Sequence, residues 1–100
     1  MSAREFFEGL PARVEASRIE GMNQSYLFDV EGEGVWLVDV RDGTVTVTEG
    51  TSPADATIKT SGETFTKIVD GTQNPTTAYM TGKLRVEGDL GAAMKLQKLF

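Results

Sequence analysis

Apolar positions along this chain change their period several times, and each change marks an element. Phe6, Phe7 and Leu10 fall on one helical face. Ser2, with Glu5 three residues later, makes a capping box, so a helix is predicted over residues 2–20. Pro11 divides it into two pieces, and residues 12–19 stay periodic enough to continue it. From Tyr26 the period becomes two. Tyr26, Phe28 and Val30 share one face of a strand over 26–30. Trp36, Val38 and Val40 do the same in a second strand over 35–40, and Val45 and Val47 alternate with outward threonines in a third over 44–48. Asp42-Gly43 is a strong hairpin signal, which makes the three strands an antiparallel meander.

Thr51-Ser52-Pro53 interrupts the pattern, and a short fourth strand is read at 56–60. Ser61 then caps a helix with Phe65, Ile68 and Val69 on its apolar stripe, closed by Asp70-Gly71. Asn74-Pro75 opens a second short helix through Met80, ended by Gly82. A fifth strand runs over 83–87, and Gly88-Asp89 turns into a last helix over 90–100. The order helix, four strands, two helices, strand, helix is that of an α+β fold, with helices gathered on one side of a five-stranded, largely antiparallel sheet. One domain over 1–100 is expected, since no linker or repeat interrupts the chain and 100 residues is near the commonest domain size.

The last helix carries the first functional clue. On a helical wheel Leu90, Ala92, Ala93, Met94, Leu96, Leu99 and Phe100 spread over more than half of the circumference, and Gly91, Lys95 and Lys98 form the polar side. A helix resting on one sheet needs a stripe of about 100°. The surplus width faces a partner chain, a membrane, a bound ligand or simply a deep core. Met80 and Met94 suit a surface that repacks around varied shapes, although methionine is commoner in cores. A ligand pocket of about 300 Å3, if empty, costs at most on the order of 7 kcal/mol. That is large against a total stability of about 5–15 kcal/mol. Such a cavity stays filled, collapses in part or opens at its loosest element, and a terminal helix is the natural lid.

Composition removes several alternatives. The chain has no His and no Cys, so it lacks the usual neutral-pH base, the commonest metal ligand, thiolates and disulfides. No catalytic residue, metal site or cofactor is therefore assigned. A net charge of −5 argues against nucleic acid and disfavours standing attraction to anionic membranes, leaving at most transient membrane contact. No apolar run is long enough to span a bilayer and residues 1–20 do not read as a secretory signal, so a cytoplasmic location is expected. Asp29, Glu31, Glu33, Asp39 and Asp42 cluster in the meander, but most flank turns or solvent faces; Asp39 alone interrupts an apolar run. Glu31-Gly32-Glu33-Gly34 is not a phosphate loop, because no helix and no Lys-Ser/Thr follow. Trp36 is read as core.

From Asn74 onward the residues resemble a known family. Asn74-Pro75-Thr76-Thr77-Ala78-Tyr79-Met80-Thr81-Gly82-Lys83-Leu84-Arg85-Val86-Glu87-Gly88-Asp89, then Ala93-Met94-Lys95-Leu96 and Leu99-Phe100, look like the C-terminal signature of sterol carrier protein-2 (SCP-2) domains. In that signature an aromatic-Met pair precedes a Gly-Lys-Leu strand, a Gly-Asp turn and a helix bearing Met-Lys-Leu. The earlier elements fit in order, so the resemblance covers nearly the whole chain. It implies a five-stranded sheet covered by helices with an apolar tunnel between them, and non-enzymatic binding and transfer of sterols, fatty acids, fatty acyl-CoAs or other lipids. Carried over by position, the tunnel residues are Phe65, Ile68, Val69, Tyr79, Met80, Leu84, Val86, Met94, Leu96, Leu99 and Phe100, each equally at home in plain core packing. Tyr79 stands where Phe is common, which places a hydroxyl near the pocket to read a polar ligand end. The chain ends without the Ser-Lys-Leu type of peroxisomal address, which fits a stand-alone prokaryotic member and puts fatty acid, acyl-CoA or isoprenoid cargo beside sterol. The rival reading is an accessory or oligomerising subunit, a homodimer included, that uses the last helix as an interface. Catalysis is the least supported, for want of His and Cys.

Overall fold

The computed structural model describes residues 3–95. Its elements are α1 (Ala3–Arg13), a 3-10 turn (Ala16–Arg18), β1 (Gln24–Glu31), β2 (Gly34–Arg41), β3 (Thr44–Glu49), β4 (Ala56–Ser61), α2 (Gly62–Asp70), α3 (Pro75–Met80), β5 (Leu84–Gly88) and α4 (Leu90–Met94). The predicted order of elements is the observed one. Two boundaries differ. The first helix stops at Arg13 rather than near residue 20. Pro11 has no N–H to offer the Phe7 carbonyl, so the ladder lasts one more turn, and the chain tightens into the 3-10 turn that tucks Ile19 and Met22 inward. The last helix is described only through Met94; the remainder of the predicted 90–100 helix, and Ser2, lie outside the described residues.

The sheet order is β3-β2-β1-β4-β5. The meander is antiparallel, with Phe28 opposite Trp36 and Tyr26 opposite Val38. Asp42 and Gly43 both take positive φ, 52° and 74°, the twist that joins β2 to β3 through two residues. β4 lies parallel to β1, with Tyr26 beside Ala56 and Phe28 beside Ile58, and β5 returns antiparallel to β4. Residues 50–55 carry the chain from the β3 edge to β4. This one parallel pair makes the sheet mixed.

Alternation puts Tyr26, Phe28, Val30, Trp36, Val38, Val40, Val45, Ala56, Ile58 and Leu84 on one buried face. The opposite face is open, with Leu27 opposite Leu37 among charged and threonine side chains. The helices divide the buried face. α1 packs on β3 and β2, and α2 on β1 and β4, whereas α3 and α4 sit on β5 and the β4 edge. Under α1 and α2 the core is aromatic. Phe7 stacks on Trp36 at 4.9 Å and on Phe65 at 5.3 Å, and meets Phe28 at 5.1 Å and Phe6 at 5.3 Å. Under α3 and α4 the contacts are made by Ala78, Ala92, Leu84 and Ile58 instead. Small side chains there leave room that the aromatic end does not have.

Candidate functional site

That room is a cleft of about 180 Å3, open to solvent, between α3, β5 and α4. Its walls are Pro75, Thr76, Tyr79, Leu84, Val86, Leu90, Ala93 and Met94. Each wall is placed by a local device. Asn74 caps α3 through its side-chain oxygen, which accepts from Thr76 N at 2.8 Å and Thr77 N at 3.3 Å, and Pro75 fills the first helical position. Ala78 then faces the core and Tyr79 the cleft. In β5 the period of two turns Leu84 and Val86 toward the helices, across from Thr60 and Ile58. The Thr60 hydroxyl, buried on that face, donates to the Lys83 carbonyl at 3.0 Å and so holds the head of β5.

α4 is anchored three times. Asp89 caps it, accepting from Ala92 N at 3.1 Å. The Asp89 N–H donates to the Asp55 carbonyl at 2.9 Å, tying the helix start to the start of β4. The Tyr26 hydroxyl reaches up from the centre of the sheet and donates to the Ala92 carbonyl at 2.5 Å. Tyr26 is fully buried, and that burial, with Asp55 and Asp89 nearby, pushes its phenol up to about 12. The folded chain therefore holds the neutral phenol where the unfolded chain loses its proton near pH 10. This contribution to stability is whole below pH 10 and is lost as pH rises toward 12, at up to about 1.4 kcal/mol per pH unit. Tyr26→Phe should remove that alkaline phase from a phenolate absorbance titration and cost about 1 kcal/mol near neutrality. It should also raise hydrogen exchange at residues 92–95 several-fold. Unchanged exchange there would mean that Tyr26 does not hold α4.

The structure sorts the residues expected at the site. Tyr79, Leu84, Val86 and Met94 come together on the cleft. Phe65 and Ile68 point into the core instead, Phe65 inside the ring cluster with Phe7 and Phe28, and Val69 packs beside that core. The space where a tunnel would run between sheet and α2 is filled by these rings. Met80 is solvent-exposed beside the cleft without lining it. Leu96, Leu99 and Phe100 lie outside the described residues. Four cleft residues were not anticipated as ligand contacts: Pro75, Thr76, Leu90 and Ala93. Leu90 and Ala93 had a signal, since both belong to the over-wide apolar arc of the last helix; Pro75 and Thr76 had none. The sequence placed Tyr26 on one strand face with Phe28 and Val30, with no hint of its reach to α4.

Among the described residues the cleft walls contain no carboxylate, amine or guanidinium. Asp39, the carboxylate singled out in the meander, faces the open side of the sheet in an ion pair with Arg41 at 2.9 Å and does not line the cleft. Trp36 is buried against Phe7. Among the described residues no group of three or more acidic side chains is placed to hold a metal ion, and no helix is long and apolar enough to cross a membrane.

Comparison with known proteins bears on this geometry. Residues 5–100 match the SCP-2 sterol transfer family. The hydroxysteroid dehydrogenase-like protein 2 of Danio rerio is 32% identical over 99 residues, covering 95% of this chain and 24% of that protein. This chain thus spans about a quarter of the length of such curated relatives. The solution structure of the sterol carrier protein domain 2 of Helicoverpa armigera superposes with a TM-score of 0.78 at 29% identity, over 95% of this chain and 82% of that one. Palmitated SCP2L2 of Aedes aegypti superposes with a TM-score of 0.75 at 25% identity, over 99% of this chain and 94% of that one.

Proposed function

The chain belongs to the SCP-2 sterol transfer family, and from that premise we propose that it is a non-enzymatic carrier of an apolar, lipid-like ligand held in the α3–β5–α4 cleft. The observation that carries this reading is the chemistry of the walls. Aliphatic and thioether side chains from three elements converge on one concavity, and none of its described wall residues carries a group that transfers a proton near neutral pH or binds a metal. The palmitated Aedes aegypti relative supports an acyl chain as cargo. Tyr79, half-exposed at the cleft, places a phenol where it can read the polar end of such a chain.

Volume constrains the mechanism. A cleft of about 180 Å3 falls below the roughly 300–1,000 Å3 of typical ligand pockets. A whole acyl chain enters only if the walls part. α4, described over Leu90–Met94, turns Ala92 inward and leaves Leu90 and Met94 exposed. Its displacement is the proposed gate, with Tyr26 as the bond to be broken. Keeping the closed cleft small also limits the cost of standing empty to about 4 kcal/mol at most.

Delipidated protein should take up a fluorescent fatty acid with micromolar affinity, about one per chain. Ala93→Phe, which fills the cleft from a half-buried position, should weaken that uptake about tenfold or more while leaving the circular dichroism spectrum unchanged. Undiminished uptake would place the ligand elsewhere. Failure of the parent protein to bind any fatty acid, acyl-CoA, sterol or isoprenoid would sink the carrier reading. The greater length of the relatives supports a second reading, in which the domain packs on a neighbour through α4. A stable dimer in light scattering, with residues 90–95 protected from exchange, would favour it.

A further inference from the structure

The sheet has two outer strands, β3 and β5, and they are built differently. β5 alternates Leu84 and Val86 with Arg85 and Glu87, and Glu87 is tied to Lys59 at 3.1 Å. Charges of that kind discourage a further strand from pairing at an edge. β3 lacks these safeguards. Residues 44–48 read Thr-Val-Thr-Val-Thr, all β-branched, with no charge, Pro or Gly among them. They pair with β2 in a register that runs unbroken from Thr44 to Glu49, so no bulge twists the edge away.

The ladder fixes which backbone groups of β3 face outward. The two-residue hairpin closes on the Arg41–Thr44 pair, and the Gly50 N–H donates to the Val35 carbonyl at 2.9 Å. Bonded pairs alternate along an antiparallel ladder. Thr44, Thr46 and Thr48 therefore turn their N–H and C=O groups to β2, and Val45 and Val47 turn theirs outward. Among the described residues no strand meets them there. On the helix side an open trough of about 300 Å3 lies between the strand, at Val47 and Glu49, and the flank of α1 at Arg4, Glu8 and Pro11.

We propose that this edge is a dimer interface, with β3 pairing antiparallel to β3 of a second copy about a two-fold axis at Thr46. The strand is self-complementary in that register. Val45 faces Val47 of the other copy, Thr44 faces Thr48, and Thr46 faces its own counterpart, so like meets like on each side of the sheet. The outward groups of Val45 and Val47 then bond to each other across the axis. Centring the axis on Val47 instead would set Val45 against Glu49. Charge agrees with the pairing. The paired run is uncharged, and Glu49 beyond it is neutralised by Arg4 through bonds at 3.0 and 2.7 Å. α1 runs antiparallel to β3, with Arg4 at Glu49 and Ala16 beside Gly43. The axis therefore sets residues 3–10 of one copy, with one basic and two acidic side chains, along residues 11–18 of the other, with two basic and one acidic. The inference stands apart from the carrier reading, because β3 and the cleft lie at opposite edges of the sheet.

Sedimentation velocity of the full chain over about 10–1,000 μM should show the mass rising from one chain toward two, as expected of a small interface. Hydrogen exchange at the Val45 and Val47 amides should slow about tenfold or more at the high end of that range, with residues 90–95 unaffected. Thr46→Lys and Thr46→Glu each put like charges face to face at the axis, from an exposed position, and should stay monomeric. An equimolar mixture of the two should dimerise, which no interface elsewhere on the molecule would produce. Thr46→Glu also faces Asp39 on β2. If circular dichroism shows that it does not fold, Val47→Pro decides: the N–H it removes points outward, so the fold should persist and the dimer should be lost. A monomer at every concentration would overturn the proposal. So would a dimer that protects residues 90–95 instead of Val45 and Val47, folded variants that dimerise like the parent, or a mixture of folded variants that stays monomeric.

Discussion

Phe7→Ala should be the most damaging single substitution in this chain, lowering stability by about 3–5 kcal/mol. Phe7 is fully buried and meets four other rings, stacking on Trp36 and Phe65 and packing at an angle on Phe28 and Phe6. Removing it loses the transfer energy of one phenyl and leaves a hole that rigid rings cannot close. Each lost aromatic pair adds to the cost beyond area alone. For a domain of this size 1 kcal/mol corresponds to about 4–8 °C, so the midpoint should fall by roughly 12 °C or more. Thermal unfolding followed by circular dichroism measures it directly. Phe7→Leu, which keeps most of the volume, should recover a large part of the loss. A midpoint within about 4 °C of the parent would show that the ring cluster is not where stability resides.

The second large effect is expected at Gly88, and it couples stability to the cleft. Gly88 ends β5 with φ at 94°, and a Cβ there would lie 2.5 Å from the Asp55 carbonyl oxygen and 3.3 Å from the Ala56 Cα. Both neighbours are backbone atoms, one just before the adjoining strand and one at its first residue, so neither can swing away. Gly88→Ala therefore combines an unfavourable backbone conformation with a forced separation of β5 from β4, for about 2–3 kcal/mol. The strand end that moves carries Asp89, whose N–H is bonded to Asp55 and whose side chain caps α4. Fatty-acid uptake should fall with the midpoint. Gly71→Ala is the control: φ there is 83°, but nothing lies within 4 Å of the added carbon. It should cost only about 1 kcal/mol and leave uptake alone. If the two variants behaved alike, the close approach at Asp55 would carry no weight.

Much of the architecture was legible because its signals are local. Alternation fixed which face of β1, β2 and β3 is buried, and Asp42-Gly43 fixed the register of the hairpin through two positive φ values. Asn74-Pro75 and Asp89 announced the starts of α3 and α4 by the same capping chemistry seen in the structure. The strand order was not legible. Nothing in residues 56–60 says that they lie parallel to β1 rather than beside β3, because pairing partners are chosen by the whole core and not by the strand itself. The candidate site was legible only in part for a related reason. An apolar stripe on a helix looks the same whether it faces a ligand or a packed core, and Phe65 and Ile68 of α2 face the core. Tyr26 escaped notice as an anchor because its partner is a backbone carbonyl 66 residues away, and a carbonyl leaves no mark in the sequence.

The division of the buried face between rings and aliphatics has a consequence for how such a chain can change over evolutionary time. The rings under α1 and α2 hold the fold together, while among the described residues the cleft between α3, β5 and α4 is lined by Pro, Thr, Leu, Val, Ala and Met with Tyr79 as its one aromatic. Apart from Leu84, which belongs to the core, the described cleft residues are half-buried or exposed, so substitutions that reshape the cleft there draw little on the stability stored at the other end of the sheet. On the proposed carrier reading, cargo preference can then drift, or be redesigned, without passing through unfolded intermediates: a scaffold in which selection on folding and selection on binding act largely on different residues.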